Sequence, residues 1–328
     1  MKKAYLIGLL ALAACQTLDP AEPGNLVART VDDDSSIPAV ALSETRLHVQ
    51  PYGDAKKTKV FVLEGGPGDD FRSLLALNQS VEGWSLPANY KVIYHDYRGC
   101  GLSRRHPMSE LTVEKSIKDL EELIDHFAPN EPVILVGHSY GGRIAVQYTN
   151  THLERVKGLI LLEPGSFSSE IEKNTPSAIN RLNFFAKDIN QFLWVKQLIG
   201  MDNHAQADYV YDLAKANKES TDRGLDCQAT YYRSGAASTI AIALGEAQDA
   251  AFDCTTQLHL FEKPVLFISS ELTEDIGYDF QEKYQVGFFK NREHVKISGT
   301  GHEGIVNCQA AESLKHIRRY LAKLEGGK

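Results

Sequence analysis

Short uninterrupted runs of apolar residues recur along this chain, and each closes in glycine, proline or charge. Residues 59–63, 90–94, 133–136, 156–162 and 264–268 are runs of this kind; they are too short for buried helices and rich in valine and isoleucine, so they read as strands covered on both faces. Residues 294–297 read as the last strand. Residues 45–50 alternate loosely, and Pro51-Tyr52-Gly53-Asp54 signals a turn before the run at 59–63, so these early strands are expected to pair antiparallel in a sheet that begins near Val40. Elsewhere the period changes. Val113, Ile117, Leu120, Ile124 and Phe127 recur at helical spacing, as do Leu314, Ile317, Leu321 and Leu324 near the end of the chain. Strand and helix in alternation imply parallel βαβ units, hence an α/β fold: a mostly parallel twisted sheet flanked by helices. The alternation lapses from about residue 165 to 258, where helix-like stretches at 179–199 and 205–216 and a small-residue run at 234–251 suggest an inserted helical cap. The expected organisation is a leader at 1–14, a tether at 15–36 and core halves at 37–164 and 259–328 around the cap at 165–258.

Composition adds limits. At 328 residues, 43% hydrophobic and 24% charged, the chain suits one large α/β domain with an insertion. A net charge of −8 with scattered lysine and arginine weighs against a nucleic-acid partner, which needs a clustered basic surface. The first residues read as an address: Lys2 and Lys3 precede an apolar stretch at 4–14 that is too short to span a membrane. Leu12-Ala13-Ala14-Cys15 resembles the lipobox of bacterial lipoproteins. That resemblance implies cleavage before Cys15, a lipid anchor on it and, with Gln16 rather than aspartate next, an outer-membrane position facing the periplasm. Cys100, Cys227, Cys254 and Cys308 then remain, an even number in an oxidising compartment, which favours two disulfides. Of three possible pairings, Cys227 with Cys254 and Cys100 with Cys308 is preferred, because the first two share one segment; four free thiols is the alternative.

Gly137-His138-Ser139-Tyr140-Gly141-Gly142 breaks the run at 133–136 sharply before a helix begins. A serine held at such a strand–turn–helix elbow stands clear of the sheet, and the next backbone N–H faces the place where an oxyanion forms. Ser139 is the expected nucleophile and Tyr140 one oxyanion donor. Glu64-Gly65-Gly66-Pro67-Gly68 ends the strand at 59–63, and Gly66 is the expected second donor. Of eleven histidines, His302 alone sits late in the chain, between glycines, after a strand and before the last helix. It is the expected general base, whereas His138 reads as filler pointing away across the elbow.

These motifs, with Asp96-Tyr97-Arg98-Gly99-Cys100-Gly101-Leu102-Ser103, resemble in order and spacing the α/β-hydrolase fold, particularly the proline-iminopeptidase-like peptidases, over roughly residues 45–165 and 260–325. Glu64 departs from that family's usual histidine and Tyr140 from its usual tryptophan, which puts prolyl specificity in doubt. The resemblance implies a serine hydrolase acting on a small peptide, amide or ester through an acyl-enzyme, with a carboxylesterase or a non-catalytic binding relative as alternatives. It implies a cap over the site that Phe184, Phe185, Phe192, Trp194, Tyr231 and Tyr232 could line, although such aromatics more often hold cap helices together. No cofactor or metal is expected, since no nucleotide fingerprint or ligand spacing occurs. Oligomeric state is not legible. The third member of the triad is open: most relatives place an acid after the strand at 264–268, where Thr273 falls at the usual position and Glu274 or Asp275 lies one or two residues on. Glu163, 24 residues after Ser139 at the end of the strand at 156–162, is where some haloalkane dehalogenases place theirs, and it is the preferred choice.

Overall fold

A computed structural model of the chain describes residues 27–175, 203–216, 230–248 and 252–326. Eight strands run β1 (Ala39–Ala41), β2 (Arg46–Tyr52), β3 (Lys59–Leu63), β4 (Lys91–His95), β5 (Val133–His138), β6 (Val156–Leu162), β7 (Val265–Ser270) and β8 (Arg292–Ile297). They form one sheet in the order β1-β2-β4-β3-β5-β6-β7-β8, parallel from β4 to β8 and antiparallel at β1 and β2. This is the α/β-hydrolase architecture.

The expected pairing of the two early strands does not form. β2 pairs antiparallel with β4, while β3 lies between β4 and β5. Val60, Phe61, Val62 and Leu63 are all fully buried, so β3 needs cover on both faces and takes the centre of the sheet; the turn at Pro51-Tyr52-Gly53-Asp54 carries the chain past β4 instead of closing a hairpin.

Helices cover both faces. α1 (Val113–Phe127) starts where Thr112 accepts a hydrogen bond from the Lys115 N–H, and it turns Leu120, Leu123 and Ile124 inward. With α2 (Tyr140–Thr151) it packs on Phe61, Ile93 and Leu135. The opposite face, carrying Val62, Val92 and Val136, is covered by a 3-10 helix (Phe71–Asn78) and by the last helix, through Leu314, Ile317 and Leu321. In the stretch expected to form a cap, the longer described helices are α3 (Asn203–Ala216) and α4 (Ala236–Gln248), beside a single turn at Ser169–Glu172. They are tied to the core by buried charge: Asp208 accepts from Arg233 Nε at 2.7 Å and from the Ala236 N–H at 2.9 Å, and forms an ion pair with Arg105. Asp70 likewise accepts from the N–H groups of Tyr232 and Arg233. No described helix is long and apolar enough to cross a membrane.

Residues 27–36, grouped with the tether by composition, pack on the domain: Val31 is buried and its N–H donates to the Leu102 carbonyl at 2.8 Å. Cys100 and Cys254 are buried thiols in no disulfide, so neither the Cys227–Cys254 nor the Cys100–Cys308 pairing forms, although Cys308 is itself disulfide-bonded. Each sulfur is spent elsewhere, Cys100 Sγ on the Arg98 carbonyl and Cys254 Sγ on Gln147 Oε1, both at 3.6 Å. The leader with Cys15, the helix expected at 179–199, Phe184, Phe185, Phe192, Trp194 and Cys227 lie outside the described residues.

The loop after β4 is held by a buried bidentate pair. Arg98 Nε and Nη2 donate to Asp119 of α1 at 2.7 and 2.6 Å, with side chains only 1% and 4% exposed. Removing one partner of such a pair strands a buried charge. Asp119→Ala is expected to lower unfolding stability by about 3–5 kcal/mol, checked by urea denaturation.

Candidate active site

β5 ends at His138 and the chain turns at once into α2 through Ser139, whose φ of 52° and ψ of −119° are a conformation few side-chain-bearing residues adopt. Gly141 leaves room for nothing larger than hydrogen, since a Cβ there would lie 2.3 Å from the Leu63 carbonyl oxygen, and Gly65 is tight, since a Cβ on it would lie 3.1 Å from Ser139 Cβ. The glycine-rich loop after β3 therefore lies against the serine through Gly65, next to Gly66, and Tyr140 is the first residue of α2. The Tyr140 N–H belongs to a helix N-terminus, where unpaired amides favour negative charge.

His302 lies in the loop after β8, and its Nδ1–H donates to Glu163 Oε2 at 2.5 Å. Glu163 is fully buried at the end of β6, also at positive φ (46°). Its other oxygen, Oε1, accepts from the Ser270 N–H at 2.9 Å and from Ser270 Oγ at 2.6 Å. The Ser270 hydroxyl, its proton committed to Glu163, is in turn bonded to Thr273 Oγ1 at 2.7 Å. Thus the last residue of β7 supplies donors to Glu163, and Glu163 is the acid bonded to His302, while on the loop after β7 Glu274 is exposed and Asp275 half-buried.

His138 corrects its sequence reading. It is buried, its ring lies on that of His302 with centroids 4.5 Å apart, and its Nε2–H donates to the His302 carbonyl at 3.2 Å. Burial and the adjacent His302 hold it well below the usual imidazole range, so it stays neutral. It is a prop for the His302 loop rather than filler. Nothing in the apolar pattern signals this, because the contact joins the end of β5 to a loop far away in sequence.

Glu64 is a second residue whose role the sequence leaves open. It is fully buried, and its Oε1 accepts from the Gly65 N–H at 2.7 Å. Burial first, and then the charges of Asp69 and Glu303, push its carboxyl well above the usual carboxylate range. His138, His302 and Glu303 offer nitrogen and oxygen atoms within 4.8 Å of one another. Of these atoms, His302 Nδ1 is already committed to Glu163 and His138 Nε2 to the His302 carbonyl, which leaves a poor donor set for one ion. Of the aromatics expected to line a cap, the two described ones divide: Tyr231 OH donates to Asp69 Oδ2 at 3.3 Å, whereas Tyr232 packs on His48 and Phe71 under the Arg72 guanidinium.

The chain is 30% identical over 134 residues to a cis-3-alkyl-4-alkyloxetan-2-one decarboxylase of Shewanella oneidensis, across 38% of this chain and 42% of that one. It is 30% identical over 106 residues to a proline iminopeptidase of Thermoplasma volcanium, across 32% and 34%. It therefore spans less than half the length of these curated relatives. Among solved structures, an esterase from Thermogutta terrifontis superposes with a TM-score of 0.61 at 20% identity, over 88% of this chain and 97% of that one, a likeness of fold. The family described as alpha/beta hydrolase fold matches residues 60–307, most of the chain and every element of the site described above, and the chain belongs to it.

Proposed function

We propose that the protein is a serine hydrolase that cleaves an amide or ester through an acyl-enzyme, with Ser139, His302 and Glu163 as its triad. The observation that carries the reading is the 2.5 Å bond from His302 Nδ1 to a fully buried Glu163, beside a serine in strained elbow geometry. In this mechanism Glu163 fixes the tautomer of His302 with its proton on Nδ1, leaving Nε2 to take the Ser139 proton as Oγ attacks the carbonyl carbon. The Gly66 and Tyr140 amides stabilise the tetrahedral oxyanion, each such donor contributing about 3 kcal/mol to lowering the barrier. His302 then protonates the leaving group, and water, deprotonated by the same imidazole, releases the acyl group.

Within this chemistry an aminopeptidase of the proline-iminopeptidase kind is the first reading, supported by Gly65-Gly66-Pro67-Gly68, the Asp96 to Ser103 loop and the similarity to such peptidases. A carboxylesterase is the second, favoured by Glu64 and Tyr140 standing where those peptidases usually carry histidine and tryptophan. A fluorophosphonate should label Ser139 covalently, and a panel of aminoacyl amides, prolyl amides and p-nitrophenyl esters separates the two. Ester turnover without cleavage of any N-terminal residue would reverse their order; no labelling would point to a non-catalytic binding protein.

The cell-envelope placement is part of the same proposal and rests on Lys2, Lys3 and the Leu12 to Cys15 pattern. Intact-mass analysis of protein purified from bacterial membranes is expected to show loss of residues 1–14 and added lipid at Cys15. A Cys15→Ala protein that stays equally membrane-bound would refute the anchor.

A further inference from the structure

The loop that carries Gly66 begins at a buried acid. Glu64, the residue after β3, is only 2% exposed and stands directly before Gly65, where an added Cβ would lie 3.1 Å from Ser139 Cβ and 3.3 Å from His138 Nδ1. Its Oε1 accepts the Gly65 N–H at 2.7 Å, and its backbone carbonyl stands so close to Gly141 that a Cβ there would clash with it. Side chain and backbone of this one residue therefore set where the Gly66 loop sits against the elbow.

One carboxyl oxygen is left over. Glu64 Oε2 is buried and has no hydrogen-bond partner among the described residues. The titratable groups that bear on it bring no positive charge. Asp69 and Asp70 on its own loop and Glu303 after β8 are acids. Tyr94 in β4, Tyr97 just after it, Tyr231 and, at the end of β5, His138 are neutral: burial holds the three phenols well above their usual range and the imidazole well below its own. Burying an ionised carboxylate with one N–H donor and acids around it costs far more than burying the neutral acid. Protonated, the group carries its hydrogen on Oε2 and keeps Oε1 to accept the Gly65 N–H.

We propose that Glu64 works as the neutral acid, with its proton on Oε2, and that this uncharged form is a condition for stabilising the oxyanion. Glu64 is then a positioning residue whose ionisation shuts the reaction off on the alkaline side. The inference rests on the acyl-enzyme reading above. Its reason is electrostatic: the oxyanion forms beside Gly66, two residues along, and a negative charge buried behind that loop raises the energy of a transition state that is itself gaining negative charge. Ser139, His302 and Glu163 by themselves give an acid limb, from protonation of the base, followed by a plateau. Glu64 adds a second limb.

The test follows labelling of Ser139 in the full chain by an uncharged fluorophosphonate, whose phosphoryl oxygen takes the oxyanion position, over about pH 6 to 10 by intact mass. The second-order rate constant is expected to fall on the alkaline side by about tenfold per pH unit, the slope of one ionising group, while circular dichroism stays constant. Glu64→Gln keeps a carbonyl for the Gly65 N–H and cannot ionise, so it should label within about threefold of the parent at neutral pH and hold that rate through the alkaline range. Glu64→Leu, similar in volume but without either oxygen, should label more slowly at neutral pH and likewise show no alkaline limb. A flat alkaline profile in the parent, or a limb that merely tracks unfolding, would overturn the inference and leave Ser139 a nucleophile. A limb that persists in Glu64→Gln or Glu64→Leu would hand the titration to another group, Asp70 first, and overturn it equally. No labelling at any pH would overturn the acyl-enzyme reading as well.

Discussion

A Ser139→Ala protein is expected to fold as the parent does and to lose about 10⁶ in turnover of any ester or amide it accepts, the scale seen when the nucleophile of a triad is removed. Folding should be retained because the Ser139 side chain makes no hydrogen bond to the first turn of α2. What holds the elbow is backbone: the Ser139 N–H donates to the Leu162 carbonyl at 3.1 Å, and its own carbonyl accepts from Gly142 and Gly165 at 3.0 and 2.8 Å. Alanine keeps all of these and the positive φ as well. Ser139→Gly removes the steric cost of φ = 52° and is expected to be as inactive, yet up to about 2 kcal/mol more stable than the alanine variant. Turnover and thermal unfolding of the three proteins decide the matter. Substantial turnover in either variant would remove Ser139 from the mechanism.

How much was legible in advance follows from which constraints are local. The elbow could be read because Gly137, Ser139, Gly141 and Gly142 are demanded by atoms within a few residues or on the adjoining strand, as the 2.3 Å approach of a Gly141 Cβ to the Leu63 carbonyl makes plain. The central strands could be read because burial on both faces leaves only apolar residues at Val60 to Leu63 and Val133 to Val136. The order of β2, β3 and β4 could not, because closeness in sequence favours a hairpin and only the competition for the central position reverses it. The preferred cysteine pairing fails for a related reason: parity counts sulfurs but carries no geometry, and Cys100 and Cys254 are each built into a different part of the core, while Cys308 is disulfide-bonded. The roles of His138 and Glu64 are invisible in sequence, since both depend on contacts between the ends of different strands and the loops that follow them. Glu163 was legible only as a choice, being one acid at one strand end among candidates at two.

Glu163→Gln should cost about 10⁴ in kcat, the loss expected when the residue that sets the histidine tautomer becomes an amide. The structure fixes which way the new amide must face. At Oε1 two donors converge, the Ser270 N–H and the Ser270 hydroxyl, at 2.9 and 2.6 Å, and an NH₂ group placed there would meet a hydrogen with nothing to accept it. The glutamine carbonyl therefore takes the Oε1 position and its NH₂ faces His302 Nδ1. That nitrogen must then accept, so the ring proton moves to Nε2, the atom that has to receive the Ser139 proton, and the base is lost. The negative charge that would stabilise the protonated imidazole goes with it. Because glutamine matches glutamate in volume and keeps both Ser270 bonds, circular dichroism and Tm should stay near those of the parent. Glu274→Gln and Asp275→Asn, on the loop after β7 with no part in this relay, should keep turnover within about twofold of the parent, the range of ordinary surface substitutions. Near-parental kcat in Glu163→Gln, together with a large loss in either loop variant, would move the triad's acid to that loop and leave the bond between His302 and Glu163 a structural one.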